Sequence, residues 1–322
     1  MKLKIAICGY GNLGHGVERA LLQAPDAEPV AIFTRRQPST LHALGNAPIL
    51  PLSALLQWKD RVDVLVLCGG SAGDLPRQTP EFAAHFNTVD SFDRHTDIPA
   101  HLQAVGQAAS AAGHLSLISA GWDPGLFSVA RLLFQAFLPN GNCTTLWGRG
   151  VSQGHSDAVR QIPGVIDARA YTVPLANAAS AIAAPPTATH RRECFVVAQP
   201  GADRTRIANE IRTLPGYFQG YDTAVRFITP EEMARDHTGL AHGGQVLCAG
   251  TTGAEPSLHR HRLSLGLQAD SNPELTGNIL VAYARAVHAL YQQGTRGAIT
   301  PLDVPPALLS PLSPEQQRRS FL

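Results

Sequence analysis

Lys4-Ile5-Ala6-Ile7-Cys8-Gly9-Tyr10-Gly11-Asn12-Leu13-Gly14 is an apolar run of strand length leading directly into G-x-G-x-x-G, and behind it Val17, Ala20 and Leu21 recur at helical spacing. In that setting each glycine has a task. The first permits the tight turn out of the strand, the second lets backbone approach a pyrophosphate, and the third lets the helix pack closely on the strand. The helix start adds unpaired N–H donors for phosphate oxygens. A glycine-rich turn with no ligand is the plainer alternative, and the strand before and helix after weigh against it. The stretch therefore predicts the first unit of a dinucleotide-binding α/β domain.

A second strand is expected at 29–33, and the residue after it normally handles the ribose 2′ position. Here the chain reads Thr34-Arg35-Arg36. No acidic residue is present to accept from a 2′-hydroxyl, whereas a hydroxyl and two guanidinium groups suit a 2′-phosphate. The cofactor should be NADP(H), against the alternative of two solvated loop arginines. A third strand, 61–68, is almost continuously apolar, as a parallel strand covered on both faces should be. It runs into Gly69-Gly70-Ser71, a loop small enough to lie against the cofactor.

A helix at 78–85, a short strand at 87–90, a helix at 98–112 and a strand at 115–119 complete the alternation. Asp93 lies just past the fourth strand, on the ligand side of a parallel sheet, with a helix-capping or solvated aspartate as its rival reading. After the fifth strand comes Ala120-Gly121-Trp122-Asp123-Pro124-Gly125, which puts an indole and a carboxylate at a strand's carboxyl end.

Downstream the pattern changes. An apolar helix at 126–137 precedes strand candidates at 144–147, 168–173, 192–197, 223–228, 245–248 and 258–265, with a helix at 202–214. This predicts an α+β substrate domain with an open, largely antiparallel sheet against few helices. The Ala- and Pro-rich segment 175–189 reads as a surface loop. A last long helix, from 273 to about 293, leads back towards the first domain. The division expected is a Rossmann-type domain at 1–120, with 290–322 packing back on it, and a substrate domain at 121–289.

The 322 residues are 44% hydrophobic and carry a formal net charge of +1, with the basic residues dispersed. That balance argues against nucleic-acid or membrane-surface partners and for a small molecule. The apolar N-terminal run is too short for a secretory signal, and no apolar run approaches a bilayer span, so a cytoplasmic protein is expected. The five cysteines are far apart and read as reduced. Ser152, His155 and Asp157 do not make a hydrolase triad by adjacency, and no G-x-S-x-G elbow is present. His237 and His242 have no carboxylates or cysteines at a spacing that suits a metal, so no metal is expected and contact with an anion is the sharper idea for one of them. His259 and His261 share one strand face and read as exposed.

Taken in order, Gly9 to Gly14, Thr34-Arg35-Arg36, Gly121-Trp122-Asp123-Pro124-Gly125, Trp147-Gly148, Ser152-Gln153-Gly154-His155-Ser156-Asp157, Ile162-Pro163-Gly164-Val165 and Asn272-Pro273 resemble the meso-diaminopimelate dehydrogenases over nearly the whole length. The last five of these are not generic dinucleotide-fold features. The resemblance implies a homodimeric, NADP-dependent enzyme of lysine and cell-wall synthesis. Its reaction is the reversible oxidative deamination of the D-centre of meso-2,6-diaminopimelate to L-2-amino-6-oxopimelate and ammonia. It implies cofactor contacts at Tyr10, Gly11, Asn12, Leu13, Thr34, Arg35, Arg36, Cys68, Gly69, Gly70, Ser71, Ser91, Phe92, Asp93, Ala120, Gly121, Trp122, Asp123 and Pro124. For the substrate it implies Asp93, Asp123, Trp147, Gln153, Gly154, Thr172, Arg192, His242 and Asn272, and it makes the second domain the dimerisation domain as well.

The residue types agree with such a substrate. Carboxylates suit a reacting ammonium, and cations and hydroxyls suit a distant carboxylate. The proton acceptor is left open between Asp93, Asp123 and water. Ala241, where the family usually has proline, and Ala120, where it often has threonine, depart from the pattern. Another NADP-dependent amino acid or semialdehyde oxidoreductase, or a non-catalytic NADPH-binding protein, are the competing readings.

Overall fold

Runs that are apolar at every position become strands buried on both faces. The computed structural model describes residues 2–176 and 185–322. It begins with β1 (Leu3–Cys8), α1 (Asn12–Gln23), β2 (Ala27–Thr34), β3 (Ile49–Pro51), β4 (Val64–Leu67), α2 (Leu75–Ala83), β5 (Thr88–Asp90), α3 (Ile98–Ala112) and β6 (Leu115–Leu117). It continues through α4 (Leu126–Phe137), β7 (Asn142–Trp147), β8 (Gly150–Ser152), α5 (Gln153–Arg160), β9 (Val165–Pro174), α6 (Pro186–Thr189), β10 (His190–Ala198), α7 (Arg204–Thr213), β11 (Thr223–Phe227), α8 (Pro230–Asp236), β12 (His242–Thr252) and β13 (His259–Ala269). It ends with α9 (Asn272–Gln292), β14 (Gly297–Ile299) and α10 (Pro314–Phe321). Two units result, Met1–Leu126 with Pro273–Leu322, and Phe127–Asn272.

The first unit is a parallel sheet in the order β14-β6-β5-β4-β1-β2-β3. Successive side chains point to opposite faces, so β1 sends Ile5 and Ile7 to one core and Ala6 and Cys8 to the other. β4 does the same with Val64 and Val66 against Leu65 and Leu67. The first core is closed by Val17 and Leu21 of α1 and by Leu280 and Val287 of α9; the second by Phe33, Leu55, Phe82 and Phe92. This is the dinucleotide-binding architecture the opening motif predicts. β3 and β14, three residues each, have no pattern long enough to read.

α9 belongs wholly to the first unit from Pro273 onward, whereas the sequence reading assigns the chain up to 289 to the second. Its beginning is held by two glycines. A Cβ on Gly16 would lie 2.2 Å from the Pro273 carbonyl oxygen, and one on Gly277 would lie 2.3 Å from Gly16 C. The α1 and α9 backbones therefore touch directly, which only glycine permits.

The second unit divides its strands between two sheets, not one. β11-β10-β9-β8 is antiparallel except for the β10/β11 pair, and β13-β12-β7 is antiparallel throughout. Cys143 of β7 and Cys248 of β12 stand opposite in register, 4.1 Å apart at Cα, and are disulfide-bonded. The sequence reading of five reduced cysteines is corrected here: 105 residues separate the pair, so only strand register brings them together. Cys8, Cys68 and Cys194 are free thiols. The polar stretch from 149 becomes α5 from Gln153, because Ser152 caps it by accepting from the His155 N–H. α8 was also unforeseen, and a Thr229/Glu232 capping box starts it. Of the expected loop 175–189, positions 177–184 lie outside the described residues and Pro186–Thr189 forms a helical turn. No helix among the described residues is long and apolar enough to cross a membrane.

Candidate active site

At the carboxyl ends of β1, β2 and β4, a cleft is lined by Gly9, Phe33, Thr34, Arg35, Gly69 and Asp74. Gly9 adopts φ +97, a conformation L side chains rarely reach. A Cβ on Gly14 would lie 2.2 Å from the Gly9 carbonyl oxygen, so the helix can start only with glycine there. A Cβ on Gly11 would meet nothing within 4 Å, which leaves its backbone approachable. Thr34 Oγ1 accepts from the Arg36 N–H at 3.1 Å, and the Arg36 guanidinium donates to the Tyr10 carbonyl. Arg35 makes a two-pronged pair with Asp74, each contact 2.8 Å. Both arginines are exposed at the mouth of the turn. A turn with approachable N–H groups, a helix start without a side-chain cap and two guanidiniums fits the pyrophosphate and 2′-phosphate of NADP.

Tyr10 is itself held from below. Its hydroxyl donates to Glu18, a fully buried carboxylate that also accepts the Leu44 and Gly45 N–H groups at 3.0 Å each. Burial pushes the Cys8 thiol up to about 12 and raises Cys68 as well, so the two thiols flanking this turn stay neutral.

The next strand ends carry the aspartates. Asp93 follows β5, its N–H donating to Ser71 Oγ at 3.0 Å. Gly121 to Gly125 forms a tight loop after β6, in which Trp122 bridges to Gly125 and the Leu126 N–H returns to the Gly121 carbonyl at 3.0 Å. Trp122 is buried, while Asp93 and Asp123 are half-buried. The first-unit residues expected to meet a cofactor therefore lie at the carboxyl ends of parallel strands, in the turns that follow them or in the first residues of α1.

In the second unit, register builds a row. Gly150 of β8 pairs with Thr172 of β9, and Thr172 pairs with Arg192 of β10. The Arg192 guanidinium donates to Thr172 Oγ1 and lies 4.2 Å from the Tyr221 ring centre. Arg192 is 5% exposed, burial pulls its guanidinium below the ordinary value, and Nε has no hydrogen-bond partner among the described residues. On the other side, a Cβ on Gly150 would lie 2.4 Å from His242 Nδ1, so the imidazole fits only over glycine. Gly150, Thr172 and Arg192 thus follow one another across the β8-β9-β10 sheet, and His242, from β12 of the other sheet, packs over Gly150 at its end.

Trp147 joins them through a residue the sequence reading missed. The Trp147 N–H donates to His190 Nε2 at 2.9 Å, and His190 lies two positions from Arg192 on β10, hence on the same face. Burial lowers the His190 imidazole, so it stays neutral and accepts this bond. Tyr221 was the other omission; it follows an irregular segment, where no periodicity points to it. Gln153 and Gly154 open α5, and the Asn272 N–H donates to the Leu240 carbonyl at 2.9 Å. Of the rejected triad, Ser152 Oγ does lie 2.6 Å from His155 Nδ1, while Asp157 turns to Arg160 at 3.5 Å. His237 goes elsewhere than His242, its Nδ1 lying 2.9 Å from the Tyr171 hydroxyl.

Residues 121–271 match the family described as "Diaminopimelic acid dehydrogenase C-terminal domain". The chain is 49% identical to the meso-diaminopimelate D-dehydrogenase of Ureibacillus thermosphaericus, covering 100% of this chain and 99% of that one. An engineered D-amino acid dehydrogenase bound to NADP+ is similar with a TM-score of 0.95 at 42% identity, over 100% of both chains. The C. glutamicum DAP dehydrogenase in complex with DAP is similar with a TM-score of 0.91 at 43% identity, over 100% of this chain and 99% of that one. Identity at this level along the full length, on the same two-unit fold, means that the chain belongs to the meso-diaminopimelate D-dehydrogenase family.

Proposed function

We propose that this protein is an NADP-dependent meso-diaminopimelate dehydrogenase, oxidising the D-centre of meso-2,6-diaminopimelate to L-2-amino-6-oxopimelate and ammonia, and running in reverse. Arg192 carries the reading: a desolvated guanidinium without an ion pair among the described residues is costly, and a substrate carboxylate would satisfy it. Thr172, paired with it, and His242, packed on Gly150 beside Thr172, add donors for the same group. Trp147, Gln153, Gly154 and Asn272 complete the substrate contacts.

Thr34, Arg35 and Arg36 grip the 2′-phosphate; Tyr10, Gly11, Asn12 and Leu13 receive the pyrophosphate. Cys68, Gly69, Gly70, Ser71, Ser91, Phe92 and the stretch from Ala120 to Pro124 line the remainder. Bound NADP+ supplies the hydride acceptor. Asp93 and Asp123 face the reacting ammonium, hold it by charge and offer an acceptor for the proton it must lose before hydride leaves the α-carbon. The resulting substrate imine takes up water and releases ammonia. The indoles of Trp122 and Trp147 keep bulk water from the hydride path. A cytoplasmic homodimer, with the second unit as its dimerisation domain, completes the reading, which rests here on the family.

The test is NADPH formation by the purified protein with meso-diaminopimelate, set against the LL and DD isomers. Turnover with meso substrate is expected. Absence of turnover in both directions overturns the reading, and NADPH binding without turnover would replace it with a non-catalytic one.

A further inference from the structure

Asp90 closes β5, and its side chain is fully buried. A carboxylate so placed is tolerated only when its lone pairs are filled. Four donors fill them. Oδ1 accepts the N–H of Phe92 at 3.0 Å and of Ser119 at 2.8 Å. Oδ2 accepts the Thr79 hydroxyl at 2.8 Å and lies 2.7 Å from His101 Nε2. Since Asp90 already serves as acceptor to the other three groups, His101 completes the set by donating through Nε2. The imidazole is fixed in turn by stacking on Phe92, ring centres 4.2 Å apart.

The two backbone donors belong to two different loops. Phe92 directly precedes Asp93, and Ser119 leads into the segment that carries Asp123. Ser119 is held at φ +60, a left-handed conformation unusual for a non-glycine residue. The Asp90 main chain adds a second tie, its carbonyl accepting the Ala120 N–H at 2.8 Å. One residue thus bonds to the start of both loops.

We infer that Asp90, aimed by Thr79 and His101, is a positioning residue for the reaction: it sets the departure of the loops that present Asp93 and Asp123. The inference rests on the reading of those two aspartates as substrate-facing. Asp90 touches neither substrate nor cofactor and acts only through the loops. A buried staple without this role would affect stability alone.

Asp90→Ala removes both acceptors, whereas Asp90→Asn keeps an oxygen for Phe92 and Ser119. Per NADP+-binding site, Asp90→Ala should lower kcat with meso-diaminopimelate at least tenfold and raise its KM, and Asp90→Asn should recover most of the loss. NADP+ affinity should shift less than threefold, because the phosphate grip lies on other turns. Hydrogen exchange should quicken in 91–94 and 118–125 and stay unchanged in 3–8 and 64–67. If Asp90→Ala does not fold, Thr79→Val and His101→Phe strip the Oδ2 side and should give the same pattern more weakly. A lowered Tm with wild-type kcat, or unchanged exchange in both loops, overturns the inference. If the wild type itself turns over no meso substrate, the proposed function fails, and the exchange experiment alone decides whether Asp90 holds the loops.

Discussion

Arg192 stands directly across from Thr172 in the β9/β10 ladder, donating to its hydroxyl while lying over the Tyr221 ring. The pair spends a buried guanidinium on a neutral partner. In Arg192→Met the KM for meso-diaminopimelate should rise roughly 10- to 100-fold, the cost of a lost charge-assisted bond. Because a buried unpaired charge leaves with it, Tm should hold or rise. Steady-state kinetics and calorimetry on one preparation check both; an unchanged KM removes Arg192 from the site.

Arg35 and Arg36 are exposed and held by different anchors, Asp74 and the Tyr10 carbonyl. The double variant Arg35→Ala with Arg36→Ala should weaken NADP+ by about 10- to 100-fold, as loss of charged hydrogen bonds implies, and NAD+ hardly at all. Cofactor titrations by fluorescence decide it, and equal weakening of both cofactors would contradict a 2′-phosphate role.

Gly150 has His242 packed where its side chain would be. Gly150→Ala must displace the imidazole or the strand, at about 1–3 kcal/mol of stability by the usual cost of overpacking. The expected result is a raised substrate KM with NADP+ affinity kept. His242→Ala in the same background should restore the lost stability, and failure to do so would mean the clash lies elsewhere.

Stability should have a plateau bounded by buried groups. Burial holds the imidazoles of His114, His190 and His237 below their ordinary value. The unfolded chain then takes up protons first, so stability is present above about pH 6.5 and is lost as pH falls below it. Burial likewise raises Cys8 and Cys194 to about 12. Above about pH 9 the unfolded chain loses those protons first, and stability should fall by roughly 1 kcal/mol per pH unit for each thiol until their folded values are reached. Urea titrations from pH 5 to 11 would show the plateau. Native protein at pH 8 should leave Cys8 and Cys194 unalkylated, and denatured protein should not.

The first sheet could be read from the chain because its signals are local. Four consecutive apolar residues at Val64–Leu67, stopped by Gly69-Gly70, fit a short strand covered on both faces, and Gly9, Gly11 and Gly14 specify a turn by what each lacks. The helices at Leu126–Phe137 and Ile98–Ala112 match their periodicity end to end. Where the reading fell short, the signal is not local. A three-residue strand such as Gly297–Ile299 has too few side chains for a pattern.

By itself the sequence determined the glycine turn after β1, the cationic stretch after β2 and the residue types of the candidate site, since those depend on chemistry carried by neighbouring residues. Only the tertiary structure decided that Gly16 meets Gly277, that Cys143 is bonded to Cys248, that His190 holds Trp147 and that Asp90 holds two loops at once. Each of these contacts depends on strand register or helix crossing between distant segments, and a single chain carries no periodicity that encodes such meetings.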